Sequence, residues 1–323
     1  MSVGALFDPL FGADRVAARI DDSSWVAALL AVEVALAAAA AEQGLVPAAD
    51  AARIERAAAG LRIAPAELGA AAVEGGNPVI PLVGRLRDAV GEAAGSVHLG
   101  ATSQDVMDTA LVLLARWAGE IVVADLRGAA GAAARLAAAH RDTPMAARTL
   151  GQQALPTTFG LVAAGWAAGL DRAAARLAEL LDALPVQLGG PAGTLVGPHG
   201  PALADALAAR LGLARQGVPW HTERTRIGEL AAALGVAAGA CAKPATDVVL
   251  LAGTELGEVS EAAPGGSSSM PHKRNPIAAV TARAAARRAP GLVAVLLAAA
   301  DHEHQRAAGA WHAEWETLSD LLR

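Results

Sequence analysis

Apolar residues return at helical spacing along most of this chain, and the breaks between apolar stretches mark out its elements. From Arg15 to Gln43 the pattern predicts two helical pieces. Asp21-Asp22-Ser23-Ser24 can cap the second, in which Trp25, Leu29, Val32 and Leu36 fall near a helical period. Gly44 and Pro47 close it, and a short helix should start near Ala48. Gly75-Gly76-Asn77-Pro78 interrupts the pattern before Val79-Ile80-Pro81-Leu82 begins a further helix. Three long helices are expected next. The first covers residues 107 to about 140 and is closed by Arg141-Asp142-Thr143-Pro144; the second runs from Thr157 to roughly Leu184; the third lies within Pro219 to Glu258. A last helix should run from Ile277 to Ala289, kink at Pro290-Gly291 and continue from Leu292 to about Ala308.

Hydrophobic residues fill 54% of the 323 positions and alanine dominates them, so the pattern reads as an all-α fold. The length allows two domains, a smaller helical one at residues 1–105 and a long-helix domain at 106–323. No apolar stretch reaches the roughly 18 residues of a membrane span, so no membrane association is expected. The longest candidate, Leu230 to Ala242, is bounded by Glu229 and Lys243. The N-terminus lacks a basic region followed by an apolar block and does not read as a signal peptide. The single cysteine, Cys241, reads as a buried structural thiol and fits a reducing cytoplasm. A net charge of −6 without a long basic cluster argues against nucleic acid as a partner. Arg283, Arg287 and Arg288 could form a local anion patch, although a solvated helix face is the commoner outcome. His302 and His304 do not share a helix face, and no motif for a metal or cofactor stands out.

Three polar segments interrupt this apolar background. The first is His98-Leu99-Gly100-Ala101-Thr102-Ser103-Gln104-Asp105, ahead of the first long helix. Thr102 and Ser103 could cap that helix, and their hydroxyls with the free first-turn amides would equally suit a carboxylate. Asp105, and Asp108 beyond it, are favourable against the helix dipole. The second segment, Arg148-Thr149-Leu150-Gly151-Gln152-Gln153-Ala154-Leu155-Pro156, would ordinarily be a capped loop. The third lies within 264–276 and reads Gly266-Ser267-Ser268-Ser269-Met270-Pro271-His272-Lys273-Arg274-Asn275-Pro276. Proline and glycine bar a regular helix there, so a polar, basic loop sits between two strong helices, as a mobile lid would. Gly189-Gly190-Pro191-Ala192-Gly193 lacks the lysine and serine of a phosphate loop and reads as a tight connection.

The third segment closely resembles the signature loop of the fumarase/aspartase superfamily, Gly-Ser-Ser-x-Met-Pro-x-Lys-x-Asn-Pro. The other two resemble its remaining conserved blocks, and the likeness covers nearly the whole chain. It implies a long-helix bundle assembled as a homotetramer, with sites shared between chains, a small polycarboxylate substrate and no cofactor. It also implies a C-terminal helical domain that is absent or truncated here. Carried over by position, Ser267 is the general base, and Lys273, Arg274 and Asn275 bind carboxylate and developing charge. Thr102 and Ser103 grip a substrate carboxylate, while Thr149 with Gln152 or Gln153 faces the substrate. Arg148 steadies its loop or pairs with carboxylate, and His98 stands where related lyases have a pocket histidine. Amides at the start of the helix after Pro276 would help hold the negative charge.

Two departures narrow the branch. In several branches a histidine follows the threonine of the second block and a glutamate lies four residues beyond the loop's last proline; here those positions are Leu150 and Val280. Hydroxide and amines are poor leaving groups that need a proton donor, whereas a carboxylate leaves without one. Losing both residues together fits chemistry at a carbon–carboxylate bond, as in lactone formation, unless another group such as His98 supplies the proton. The blocks around His98 and Gln152, with Gly309-Ala310-Trp311-His312-Ala313-Glu314-Trp315-Glu316, look like the bacterial 3-carboxy-cis,cis-muconate cycloisomerases. That family usually has tryptophan where Leu150 stands. The rival expectations are an adenylosuccinate lyase-like enzyme, from Met270-Pro271-His272-Lys273-Arg274-Asn275-Pro276, and a non-catalytic assembly protein of the same fold.

Overall fold

Alanine-rich segments become helices in the computed structural model, which describes residues 6–195 and 200–323. The N-terminal part holds α1 (Asp14–Ile20), α2 (Asp22–Glu42), α3 (Ala48–Gly60), α4 (Pro65–Gly75) and α5 (Val79–Val90). The carboxylate of Asp21 accepts the Ser24 amide at 2.7 Å and so caps α2 as its sequence implies. Gly76 takes the left-handed conformation that ends α4.

The spine is α6 (Ser103–Ala139), a single helix of 37 residues. At 1.5 Å per residue it is roughly 55 Å long. Every residue from Gln104 to Ala115 is buried, so this half of the helix is enclosed on all sides. An antiparallel pair of strands, β1 (Pro144–Thr149) and β2 (Gln152–Thr158), turns the chain back into α7 (Phe159–Asp182). Gly160 makes that return tight, since a Cβ there would lie 2.7 Å from the carbonyls of Ala137 and His140. After α8 (Gly200–Leu211) come α9 (Thr225–Leu251), α10 (Ile277–Ala298) and α11 (Ala310–Leu322). Helices α9 and α10 run antiparallel, with Leu297 against Gly228 and Val293 against Gly235. One continuous apolar core joins α2, α5, α6, α7, α9 and α11.

Several expectations are corrected. The second polar segment forms a β-hairpin rather than a capped loop. The first long helix starts at Ser103 instead of residue 107. Helix α9 begins at Thr225 and passes through Pro244, and α10 passes through Pro290 but stops at Ala298 rather than near Ala308. Side chains packed on both helices outweigh the hydrogen bond each proline removes. His302 and His304 therefore lie in a connection, not on a helix. By length and composition alone α2 and α9 could each cross a membrane, because alanine sustains hydropathy between sparse charges. Half of the apolar window in α2 is buried within the fold. Cys241 is only partly buried, and that burial pushes its thiol up.

A buried ionic cluster pins the start of α9 to α6 and α11. The Arg224 guanidinium donates to Asp108 at 2.8 and 3.1 Å, and to both oxygens of Glu314. Trp311 Nε1 adds a bond to Asp108 at 2.9 Å, and the Trp220 ring stacks under Arg224 at 4.7 Å. Burial alone pushes the Glu314 carboxyl up, but the contacts with His302 and Arg224 outweigh it and hold it below the ordinary carboxylate range. Burial likewise lowers Arg224, and Asp108 with Glu314 more than reverse this.

Replacing Arg224 with methionine keeps the bulk of the stem and leaves two buried carboxylates without their cation. The variant should lose about 3–5 kcal/mol of stability, read from the denaturant midpoint. The folded pKa of Glu314 lies below the unfolded value of about 4.3, so its contribution is complete above that pH and is lost as pH falls through the lower one. The stability gap between the native protein and Glu314→Gln should therefore hold constant near neutrality and close in acid.

Candidate active site

The first polar segment lies at the N-terminal end of α6, with Thr102 at the N-cap and Ser103 opening the helix, both half-buried. Its geometry is set by one buried carboxylate. Asp105 accepts the amides of Thr102, Gly189 and Gly190 at 2.9, 2.8 and 2.9 Å, and its Oδ1 lies 2.6 Å from His221 Nε2. The Gly189-Gly190 connection is thereby drawn onto the start of α6. His98 sits one turn earlier, where its carbonyl accepts the Ala101 amide at 3.4 Å. Its Nδ1 lies 2.6 Å from Glu33 Oε1, on a side chain of α2 with no exposed surface.

The second segment lies beyond the opposite end of α6. Thr149 pairs with Gln152 and Arg148 with Gln153 in the hairpin, and the side chains of Thr149, Leu150, Gln152 and Gln153 are exposed. Arg148 makes a two-pronged pair with Glu258 at 2.6 and 2.9 Å. That hydrogen bond draws the Glu258 carboxyl below its usual range. The pair ties the hairpin to the chain just ahead of the third segment.

The third segment is a loop with a closed neck. Gly265 and Asn275 exchange backbone bonds at 2.8 Å each, and Asn275 Nδ2 donates to the Gly266 carbonyl at 2.9 Å. Inside, the Ser267 hydroxyl oxygen accepts the amides of Ser269 and Met270 at 3.4 and 3.2 Å. Two N–H groups converging on one oxygen favour its anionic form. Lys273 and Arg274 are exposed. The first-turn amides of α10 at Ala278 and Ala279 are taken by Glu261 at 3.3 and 2.8 Å. They are thus occupied by the chain's own carboxylate, contrary to the expectation that they lie open for a substrate.

Within one chain the three segments are not brought together. The first and second stand at opposite ends of a helix roughly 55 Å long, and the third is anchored beside the second. A cavity of about 740 Å3 lined by Trp25, Met107 and Trp315 contains none of their residues. Among the described residues, no group of three or more His, Cys, Asp or Glu is placed to hold a metal. Sequence reasoning did not reach Glu33, Glu258, Glu261 or the pairing of His221. Glu33 had a visible signal, because it is the one charge between Asp22 and Glu42 in α2. The partners of Glu258 and His221 depend on folding alone.

Comparison with known proteins places the chain among lyases. A family profile described as Lyase matches residues 7–291. The chain is 46% identical to a 3-carboxy-cis,cis-muconate cycloisomerase of Bradyrhizobium diazoefficiens, over 99% of this chain and 73% of that protein. It is 45% identical to a nitrosuccinate lyase of Streptomyces davaonensis, over 98% of this chain and 71% of the relative. The crystal structure of 3-carboxy-cis,cis-muconate lactonizing enzyme from Pseudomonas putida superposes with a TM-score of 0.92 at 43% identity, covering 99% of this chain and 73% of that one.

Gly265 tests the closed neck, since a Cβ there would meet Ile277 Cγ1 at 2.3 Å. Gly265→Ala should open the loop, so that trypsin cleaves after Lys273 or Arg274 about tenfold faster with unchanged helical circular dichroism. Equal cleavage rates would show that the neck does not set the loop's shape.

Proposed function

The chain belongs to the fumarase/aspartase superfamily of lyases, and from this we propose that it is a cycloisomerase converting 3-carboxy-cis,cis-muconate to 4-carboxymuconolactone. The observation that carries this reading is the Ser267 hydroxyl, held by two loop amides in a segment that also bears Lys273. In the forward direction one substrate carboxylate oxygen forms a bond to a ring-closing alkene carbon. The electron pair moves toward a second carboxylate, and the carbon beside it takes the proton of the Ser267 hydroxyl. In reverse, the Ser267 alkoxide removes that proton and the carbon–oxygen bond breaks, expelling the ring carboxylate. The amides of Ser269 and Met270 stabilise the alkoxide at both stages. Lys273 and Arg274 supply positive charge for the substrate's carboxylates, and Thr102 and Ser103 receive another at the start of α6.

The division of the segments along α6 supports a homotetramer in which one site draws on several chains. Exposed apolar side chains fit the same assembly: Leu155 and Leu161 at the hairpin and α7, Val236 and Leu250 on α9, Val295 and Leu297 on α10. Thr149, Gln152 and Gln153 then face substrate held by a neighbouring chain. Arg148, engaged with Glu258, steadies the hairpin. Asn275 keeps the loop closed behind Ser267. The enzyme works in the cytoplasm on protocatechuate-derived substrate and without a cofactor.

The comparable identity to a nitrosuccinate lyase favours one second reading. Elimination from nitrosuccinate would release nitrite, which, like a carboxylate, leaves without a proton donor. Loss of the histidine and glutamate at Leu150 and Val280 fits either reaction, and Leu150 is fully exposed at the hairpin turn.

An ultraviolet time course with 3-carboxy-cis,cis-muconate, beside a nitrite assay with nitrosuccinate, separates the two. Loss of the diene absorbance with no nitrite is the expected result. Ser267→Ala should lower kcat by about 10³-fold while leaving the oligomer and its melting temperature unchanged. Turnover equal to the parent enzyme would remove Ser267 from the chemistry.

A further inference from the structure

Helix α2 is apolar for nearly its whole length, yet it places a carboxylate in the core. Glu33 is 1% exposed, and nothing but a polar partner can compensate such burial. That partner is His98, whose Nδ1 lies 2.6 Å from Glu33 Oε1, while Oε2 has no partner. An independent observation concerns the backbone. His98 stands at φ +63°, a left-handed conformation that non-glycine residues adopt only under constraint. A buried charge and a strained peptide unit thus hold one imidazole in one orientation. The ring is not sealed in: the side chain is 15% exposed, and Nε2 makes no hydrogen bond among the described residues. Four residues on, Thr102 and Ser103 open α6, so the free nitrogen belongs to the segment assigned to carboxylate binding.

We propose that Glu33 is a positioning residue for this site: it accepts the Nδ1 proton of His98 and so makes Nε2 the nitrogen that meets the substrate. With a proton on Nε2 as well, His98 donates a hydrogen bond to a substrate carboxylate, and the Glu33 charge balances the ring from behind. The inference rests on the cycloisomerase reading for the identity of that carboxylate. It also gives the chain a buried glutamate and a histidine acting together, at sequence positions other than Leu150 and Val280.

The test is a double-mutant cycle with Glu33→Gln, His98→Asn and the double variant, read as KM and kcat for 3-carboxy-cis,cis-muconate beside melting temperature. Glutamine keeps an oxygen for the Nδ1 proton but removes the charge. Glu33→Gln should raise KM about tenfold with kcat within about threefold, the pattern of a lost contact present equally in ground and transition states. On the His98→Asn background the same change should cost nothing further. An equal cost on both backgrounds, or a lowered melting temperature with KM unchanged, overturns the proposal. The ring is also read directly by ¹⁵N NMR of histidine-labelled, substrate-free enzyme, with the His98→Asn spectrum identifying the resonance. A neutral ring protonated on Nδ1 supports the proposal, and one protonated on Nε2 overturns it. Absence of turnover in the parent enzyme would sink the cycloisomerase reading instead, leaving the ring spectrum to decide the role of Glu33.

Discussion

The length of α6 governs everything else in this molecule. A rigid helix of 37 residues carries one polar segment at its start and delivers the chain to another beyond its end. Among the described residues no loop folds back to close that gap, because α7 returns antiparallel and α9 runs the same long axis from Arg224 to the root of the signature loop. The segments are held far apart by the same helix that makes the fold stable. Apolar side chains left open on α7, α9 and α10 are the counterpart of that arrangement, since a bundle with bare flanks invites further helices against it.

Two buried carboxylates on neighbouring turns of α6 organise its start, and they do different work. Asp108 faces Arg224 and Glu314 and locks α9 and α11 in place. Asp105 faces amides and an imidazole and shapes the chain around Thr102. Both lie within the stretch from Gln104 to Ala115 that is wholly enclosed. Their burial is tolerable because almost every oxygen is engaged. The candidate site's first segment therefore rests on a wholly buried stretch of helix, whereas the signature loop is largely exposed and is held at its neck, by Glu261 on the first turn of α10 and through Arg148 to the hairpin.

Helices were legible wherever alanine-rich periodicity met a cap, as at Asp21 for α2 and Gly44 for its end. The hairpin was not, because Pro144–Thr149 and Gln152–Thr158 have neither alternation nor any valine or isoleucine. Cross-strand pairing creates those strands, and pairing is not a local property. Pro290 was rightly expected to lie inside a helix, but the end of that helix was misplaced, since α10 stops at Ala298 rather than near Ala308. The signature loop could be read from its residues, Ser267 among them, but the amides that surround its hydroxyl follow from the loop's closed neck. Glu33 lay in plain view as a lone charge in an apolar helix. Its partner, 65 positions away, could be found only in three dimensions.

Glu261 gives the loop a property of its own. By capping the amides of Ala278 and Ala279, it lets the unliganded loop carry an internal stand-in for an anionic guest at the head of α10. The chain itself thus supplies the anion that the head of α10 favours. A visiting carboxylate that sought the same two amides would face a tethered competitor at high local concentration. The positive groups of this region that stand exposed are then side chains of the loop, Lys273 and Arg274, rather than the end of the helix.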